Sequence, residues 1–194
     1  MAKINITGEM PSLPKYRQGD NYVLHDPVIN NNAAYYKELL AGAKKSIRIL
    51  DPYAFTFNDD DYIRVFEAVC GDNLSIEIYT IGYDKKEIES YSDNIRNVIK
   101  KNLQHYTLKI VSFKEYGVSS DQKISLWHDR YLIIDDKDFY LVGNSIDGQQ
   151  MSTKYHGIYY LDKAKDKDVV VNLYNYYQNH YNSQRGFKTT RQNP

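Results

Sequence analysis

The segment Trp127-His128-Asp129-Arg130-Tyr131-Leu132-Ile133-Ile134-Asp135 sets an imidazole two positions from a guanidinium. Side chains two apart on a strand point to the same side, so His128 and Arg130 can address one ligand atom together. An imidazole that titrates near neutral pH beside a cation that never loses its charge suits a phosphate group. The turn Asp135 to Asp138 returns the chain so that Gly143-Asn144-Ser145 can lie near His128, offering small side chains, a hydroxyl and backbone donors to an anion. Asp136 and Asp138 read as turn formers. Asp59-Asp60-Asp61 reads as a helix start, where acids cap and complement the dipole, so no metal and no cofactor is expected.

Softer candidates are Asp51 and Tyr53 at a strand end, His156 on a later strand, and Lys44, Lys45 and Lys154 as a rim. His25, His105 and His180 have no companions at ligand spacing.

The elements that must position these groups follow from periodicity. Tyr36, Leu39, Leu40 and Ala43 fall at helical spacing after Ala33, and Ser46 to Leu50 alternates as a strand ending at Asp51-Pro52. Asn58 or Asp59 can cap a second helix bearing Tyr62, Ile63, Phe66 and Val69, with Gly71 stopping it, before a strand from Leu74 to Ile81. A long helix from about Asp84 to Gln104 carries the stripe Ile88, Tyr91, Ile95, Val98 and Ile99, and the strand Tyr106 to Phe113 follows. Lys114 to Ser125 reads as a loop, Tyr131 to Ile134 and Phe139 to Val142 as a hairpin, and His156 to Leu161 as a strand. Val170, Leu173, Tyr174, Tyr177 and Tyr181 put one apolar stripe on a closing helix. This alternation predicts an α/β fold with a mixed central sheet, parallel in its first half, and helices on both faces. Its ligand edge lies beyond the strand C-termini.

The 194 residues suit one domain, with an extended arm over residues 1–32, the domain over 33–181, and a basic C-terminal tail over 182–194 carrying Arg185, Lys188 and Arg191. Twenty-five basic and 25 acidic residues cancel, which excludes binding nucleic acid by bulk charge alone. No stretch approaches the roughly 18 to 20 apolar residues of a membrane span. The single cysteine, Cys70, excludes a disulfide framework, and the N-terminal residues lack the apolar core of a secretory signal, so a reducing cytoplasm is expected. Most of the 20 tyrosines read as packing surface.

The central segment resembles the signature of the phospholipase D superfamily, H-x-K-x4-D with a G-S-x-N-like element shortly after. His128, Arg130 and Asp135 hold the H, K and D positions, and Ser145 and Asp147 are the nearest matches to the second element, in an order shifted by one. The resemblance extends upstream through Lys45 to Tyr53 and Leu74 to Thr80, covering roughly residues 33 to 181. His-Asp-Arg and Asp-Pro-Tyr are especially similar to the phospholipase D-like module found C-terminal to MIT domains, which is associated with acidic phospholipids and has no known catalysis.

For an active member the resemblance implies metal-independent phosphodiester hydrolysis, with His128 as nucleophile and a phosphohistidine intermediate. One motif per chain implies a homodimer with the site at the dyad, where His128 of the partner subunit serves as general acid. Arg130 would stabilise the phosphoryl oxygens, Asp135 would orient a histidine and favour its charged form, and Gly143, Asn144, Ser145 and Asp147 would line the phosphate. Arginine in place of lysine is not a conservative exchange, and binding survives it more easily than turnover. The resemblance therefore implies a nuclease-like phosphodiesterase or, alternatively, a degenerate module that binds phosphoinositide head groups or nucleic-acid phosphates without cleaving them. A third reading keeps the fold with a closed pocket and uses the tyrosines and the tail for a protein partner.

Overall fold

The computed structural model describes residues 21–24, 32–55, 59–113, 116–119, 122–124, 129–143, 156–183 and 187–193. In chain order the elements are β1 (Asn21–Leu24), α1 (Asn32–Ala41), β2 (Ser46–Leu50), α2 (Asp59–Arg64) continued by a 3-10 turn (Val65–Ala68), β3 (Leu74–Ile81), α3 (Lys85–Ile99) and β4 (Tyr106–Phe113). After them come β5 (Tyr116–Ser119), β6 (Gln122–Ile124), β7 (Arg130–Ile134), β8 (Asp138–Val142), β9 (His156–Tyr160), α4 (Ala164–Ser183) and β10 (Phe187–Asn193).

Short runs rich in isoleucine, leucine and tyrosine make the strands, and in the centre of the sheet both faces are covered, as helices packed on each side require. Among the described residues, one mixed sheet runs β1-β9-β8-β7-β2-β3-β4-β10, and β5 with β6 forms a separate hairpin. β2, β3 and β4 are parallel, as the alternation of helix and strand predicts. β7 runs antiparallel to β2 and forms the expected hairpin with β8. On one face Ile47, Ile49, Ile76, Ile78, Leu108 and Ile110 meet Leu40 of α1, Tyr62 and Ile63 of α2 and Ile88, Ile95 and Ile99 of α3. On the other face Leu50, Tyr79, Val111, Phe113 and Ile133 meet Val170 and Tyr177 of α4. No helix among the described residues is long and apolar enough to cross a membrane.

α3 begins at a capping box: Asp84 Oδ1 accepts the Glu87 N–H at 2.9 Å, and Glu87 Oε2 accepts the Asp84 N–H at 2.8 Å. It ends at Ile99 rather than near Gln104. The Asn102 and Leu103 N–H groups both donate to the Ile99 carbonyl at 2.9 Å, and Leu103 then bridges to Gly71.

Three boundaries expected from sequence change. The stretch read as a solvated tail places Phe187 to Asn193 antiparallel on β4, because that strand would otherwise expose a row of unpaired amides and carbonyls. The arm contributes β1, paired with β9 across Asn21↔Tyr159 to Leu24↔His156, so the sheet extends at both ends beyond residues 33–181. The expected loop between β4 and β7 contains β5 and β6, joined with an irregular register near Gly117 and Ser119.

Beneath α4, the registers of β2, β3 and β4 align Arg48, Glu77 and Lys109 in one row. The Glu77 carboxylate accepts from Arg48 Nε at 3.3 Å, Lys109 Nζ at 2.7 Å, the Tyr79 hydroxyl at 2.7 Å and the Tyr174 hydroxyl at 3.0 Å. Burial pushes the Glu77 carboxyl up, but these donors outweigh it and leave it below its usual 4.5. A group depressed on folding adds stability above its unfolded value, and that stability is lost as pH falls through the folded value. Glu77→Ala, which takes from Arg48 and Lys109 the carboxylate they share, should lower unfolding free energy by about 3 kcal/mol at pH 7. Denaturant titrations from about pH 7 to about pH 3 should show a smaller acid-dependent loss in the variant than in the wild type; equal pH slopes would discount the carboxylate's role.

Candidate functional site

The C-terminal edge of the parallel strands carries a cluster of polar groups beside the predicted motif. β2 pairs with β7 through Leu50↔Tyr131, which brings Asp51, one residue beyond β2, beside Arg130, the first residue of β7. Asp51 is 1% exposed, and the Arg130 side chain is 14% exposed. Arg130 Nε lies 3.5 Å from Asp51 Oδ1, an ion pair longer than a good hydrogen bond. The same Oδ1 accepts the Tyr53 N–H at 2.9 Å, so Asp51 also shapes the turn that follows β2. That turn sets Tyr53 against the arginine: the guanidinium carbon stands 4.7 Å from the centroid of the Tyr53 ring. Arg130 is thus held by a carboxylate at Nε and a ring at its face.

A shallow hollow, with room for little more than one water molecule, opens at this pair and is otherwise lined by Tyr36 of α1 together with Ile49, Tyr131, Leu132 and Val142. The low-dielectric lining strengthens the attraction between Asp51 and Arg130. Arg130 pairs with Val142 on β8, so Gly143, which is exposed, leaves the sheet beside the arginine.

The turn is anchored by Phe55, a bulky residue at φ 67, where side chains other than glycine are strained. Its ring is 4% exposed and stacks on Tyr91 at 4.3 Å, with Tyr62 at 4.5 Å and Tyr83 at 6.1 Å. Such aromatic pairs add roughly 0.5–1.5 kcal/mol each beyond burial, enough to hold a backbone conformation that costs about 1–3 kcal/mol.

Asp135 has a different task from the one the motif implied. It lies at the far end of β7, about 16 Å along the strand from Arg130. Its carboxylate accepts the backbone N–H groups of Lys44 at 3.0 Å, Lys45 at 2.6 Å and Ser46 at 2.9 Å. Burial pushes this carboxyl up, but the three amides outweigh it and hold it below its ordinary value. Asp135 and Asp136 both adopt φ 56 in a turn closed by the Lys137 N–H on the Ile134 carbonyl at 3.0 Å, a conformation aspartate tolerates. The expectation that Asp135 orients a histidine gives way to a structural role: it ties the β7–β8 turn to the start of β2.

Of the other predicted residues, His128, Asn144, Ser145 and Asp147 lie outside the described residues, as do His25 and Lys154. His156 opens β9. Lys44 and Lys45 flank the Asp135 contact at the opposite edge from Arg130, so they do not rim the candidate site. Among the described residues no cluster of three or more His, Cys, Asp or Glu side chains could hold a metal ion. Asp51 and Tyr53 were only softer candidates in sequence, and Tyr36 read as packing; the signal for the first two was their place at a strand end.

No family model and no protein of curated function matches the sequence. The fold is similar to NucT from Helicobacter pylori, at 17% identity over 82% of this chain and 94% of that one, with a TM-score of 0.49. It is similar to Nuc, a phospholipase D family member from Salmonella typhimurium, at 13% identity over 88% and 99% of the two chains, with a TM-score of 0.48. Likeness also extends to TrmBL2, an archaeal chromatin protein, at 12% identity with a TM-score of 0.46; the match covers 86% of this chain and 54% of that one.

Replacing Asp135 by alanine should cost about 1–2 kcal/mol, since several charge-assisted bonds are lost at a partly solvated site. Thermal melts should show the loss, while any phosphate-dependent property of the Arg130 edge stays within about twofold of wild type. A larger functional than structural effect would return Asp135 to the site.

Proposed function

We propose that the strand edge at Arg130 binds phosphodiesters and that the chain is a metal-independent phosphodiesterase acting on nucleic acid as a homodimer. The observation that carries this reading is the largely buried guanidinium of Arg130, fixed at the C-terminal edge of the parallel strands by Asp51 and Tyr53. Open α/β sheets place ligands at that edge. His128 is two residues from Arg130 in the chain, so its backbone is no more than about 7 Å away. The resemblance of His128-Asp129-Arg130 to the phospholipase D signature assigns the roles.

In this reading a His128 nitrogen attacks phosphorus, the P–O bond to the leaving group breaks, and the departing oxygen takes a proton from His128 of the partner subunit. Water then cleaves the P–N bond and regenerates the imidazole. Arg130 donates N–H groups to the non-bridging oxygens, where negative charge builds as the bond breaks. The same resemblance assigns Gly143, Asn144, Ser145 and Asp147 to contacts with the phosphate.

One feature favours the second reading, a module that binds phosphate on nucleic acid or an acidic phospholipid without cleaving it. Asp51 takes up part of the charge of Arg130, leaving less of it for a transition state that carries more negative charge than the ground state.

Purified protein in EDTA should hydrolyse bis(p-nitrophenyl) phosphate or nick DNA, and His128→Ala should lose at least about a thousandfold in rate while melting at the wild-type temperature. Hydrolysis that survives this substitution refutes the catalytic assignment. Salt-sensitive binding of an oligonucleotide without turnover, weakened by Arg130→Ala, establishes the second reading instead.

A further inference from the structure

We propose that Asp51 is a positioning residue for Arg130, and that it is the reason this site uses arginine rather than lysine. The inference rests on the phosphodiester reading above and concerns how that site is built. A buried carboxylate stands 3.5 Å from Arg130 Nε at the point where a ligand phosphate would be received. An ammonium concentrates its charge on one atom, so the carboxylate and a ligand compete for it. A guanidinium spreads its charge over three nitrogens and its donors around a planar fork. Its Nε side can face Asp51 while the terminal amino groups address an anion. The Tyr53 ring, with its centroid 4.7 Å from the guanidinium carbon, gives the cation a second contact beside Asp51.

Asp51 is itself immobilised, because its backbone N–H donates to the Tyr79 carbonyl at 2.9 Å and its Oδ1 accepts from Tyr53 at 2.9 Å. The pair is therefore set by the sheet and by the turn after it, and it exists before any ligand arrives. Arginine at position 130 and aspartate at position 51 form one functional unit: the second residue dictates what the first must be.

The test is second-site rescue in the full chain. Binding of a fluorescein-labelled single-stranded oligonucleotide is measured by anisotropy, and folding by circular dichroism melts, for wild type, Arg130→Lys, Asp51→Asn and the double variant. Asn at position 51 keeps an acceptor for the Tyr53 N–H and removes the charge; if the double variant fails to fold, Asp51→Ser combined with Arg130→Lys carries the same test. Arg130→Lys alone should weaken binding by about tenfold or more, because Asp51 captures the ammonium. The double variant should recover to within about threefold of wild type, since nothing then competes for the ammonium. A double variant that is folded and binds no better than Arg130→Lys overturns the proposal, because a merely structural Asp51 predicts that outcome. Wild-type protein that neither binds nor hydrolyses a phosphodiester sinks the reading on which the proposal rests, and the proposal with it. Wild-type binding without rescue sinks the proposal alone.

Discussion

The antiparallel register of β7 on β2 is the constraint on which the rest of the molecule turns. One end of this pair sets Arg130 beside Asp51, and the other end sets Asp135 on the amides of Lys44, Lys45 and Ser46. A slip of one residue would send Arg130 to the opposite face of the sheet and withdraw Asp135 from the three amides placed for it. The two contacts therefore check each other across the strand. The four-pair ladder between β2 and β7 holds the register, and both contacts follow from it.

The two faces of the sheet solve different problems. Toward α1, α2 and α3 the strands present almost entirely apolar side chains, so this face is held by burial and shape. Toward α4 the middle row is charged: Arg48, Glu77 and Lys109 alternate in sign, and Asp136 pairs with Arg48 at the row's end. Alternation spares any one ion from standing uncompensated under the helix. Tyr174 extends this order, donating to Glu77 while its ring lies 4.7 Å from the Arg48 guanidinium carbon. The abundant tyrosines thus serve as packing residues with a polar tip, suited to a layer that is part oil and part salt.

Much of this was legible in the sequence because it depends on short-range pattern. The periodic stripes of α3 and α4, the three parallel strands and the β7–β8 hairpin follow from spacing alone, and the capping box at Asp84 sits where the apolar period begins. Arg130 stands out in sequence by its spacing from His128, and Gly143 by its place after the hairpin. What escaped depends on long-range pairing. Phe187 to Asn193 reads as a polar basic tail until β4 is known to need an edge partner, and Asp135 reads as part of a motif until the amides of Lys44 to Ser46 are placed against it. The contact of Asp51 with Arg130 is likewise invisible to any local rule, although Asp51 stands out by its strand end and Arg130 by its spacing from His128.

Asp135 reaches Lys44 across 91 positions of chain, and Asp51 meets Arg130 with every element from α2 to β6 lying between them. Closing a loop of that length costs entropy before any contact rewards it, so these pairings carry a larger closure cost than those within the parallel half. The parallel half is built from nearer neighbours, but it lacks Arg130 and so one wall of the hollow at Asp51. During synthesis the ribosome must release β7 before the pocket has both its walls. A stalled or truncated chain that ends after β4 thus lacks the pair altogether rather than holding it weakly, and the contact of Arg130 with Asp51 reports that β7 has joined β2.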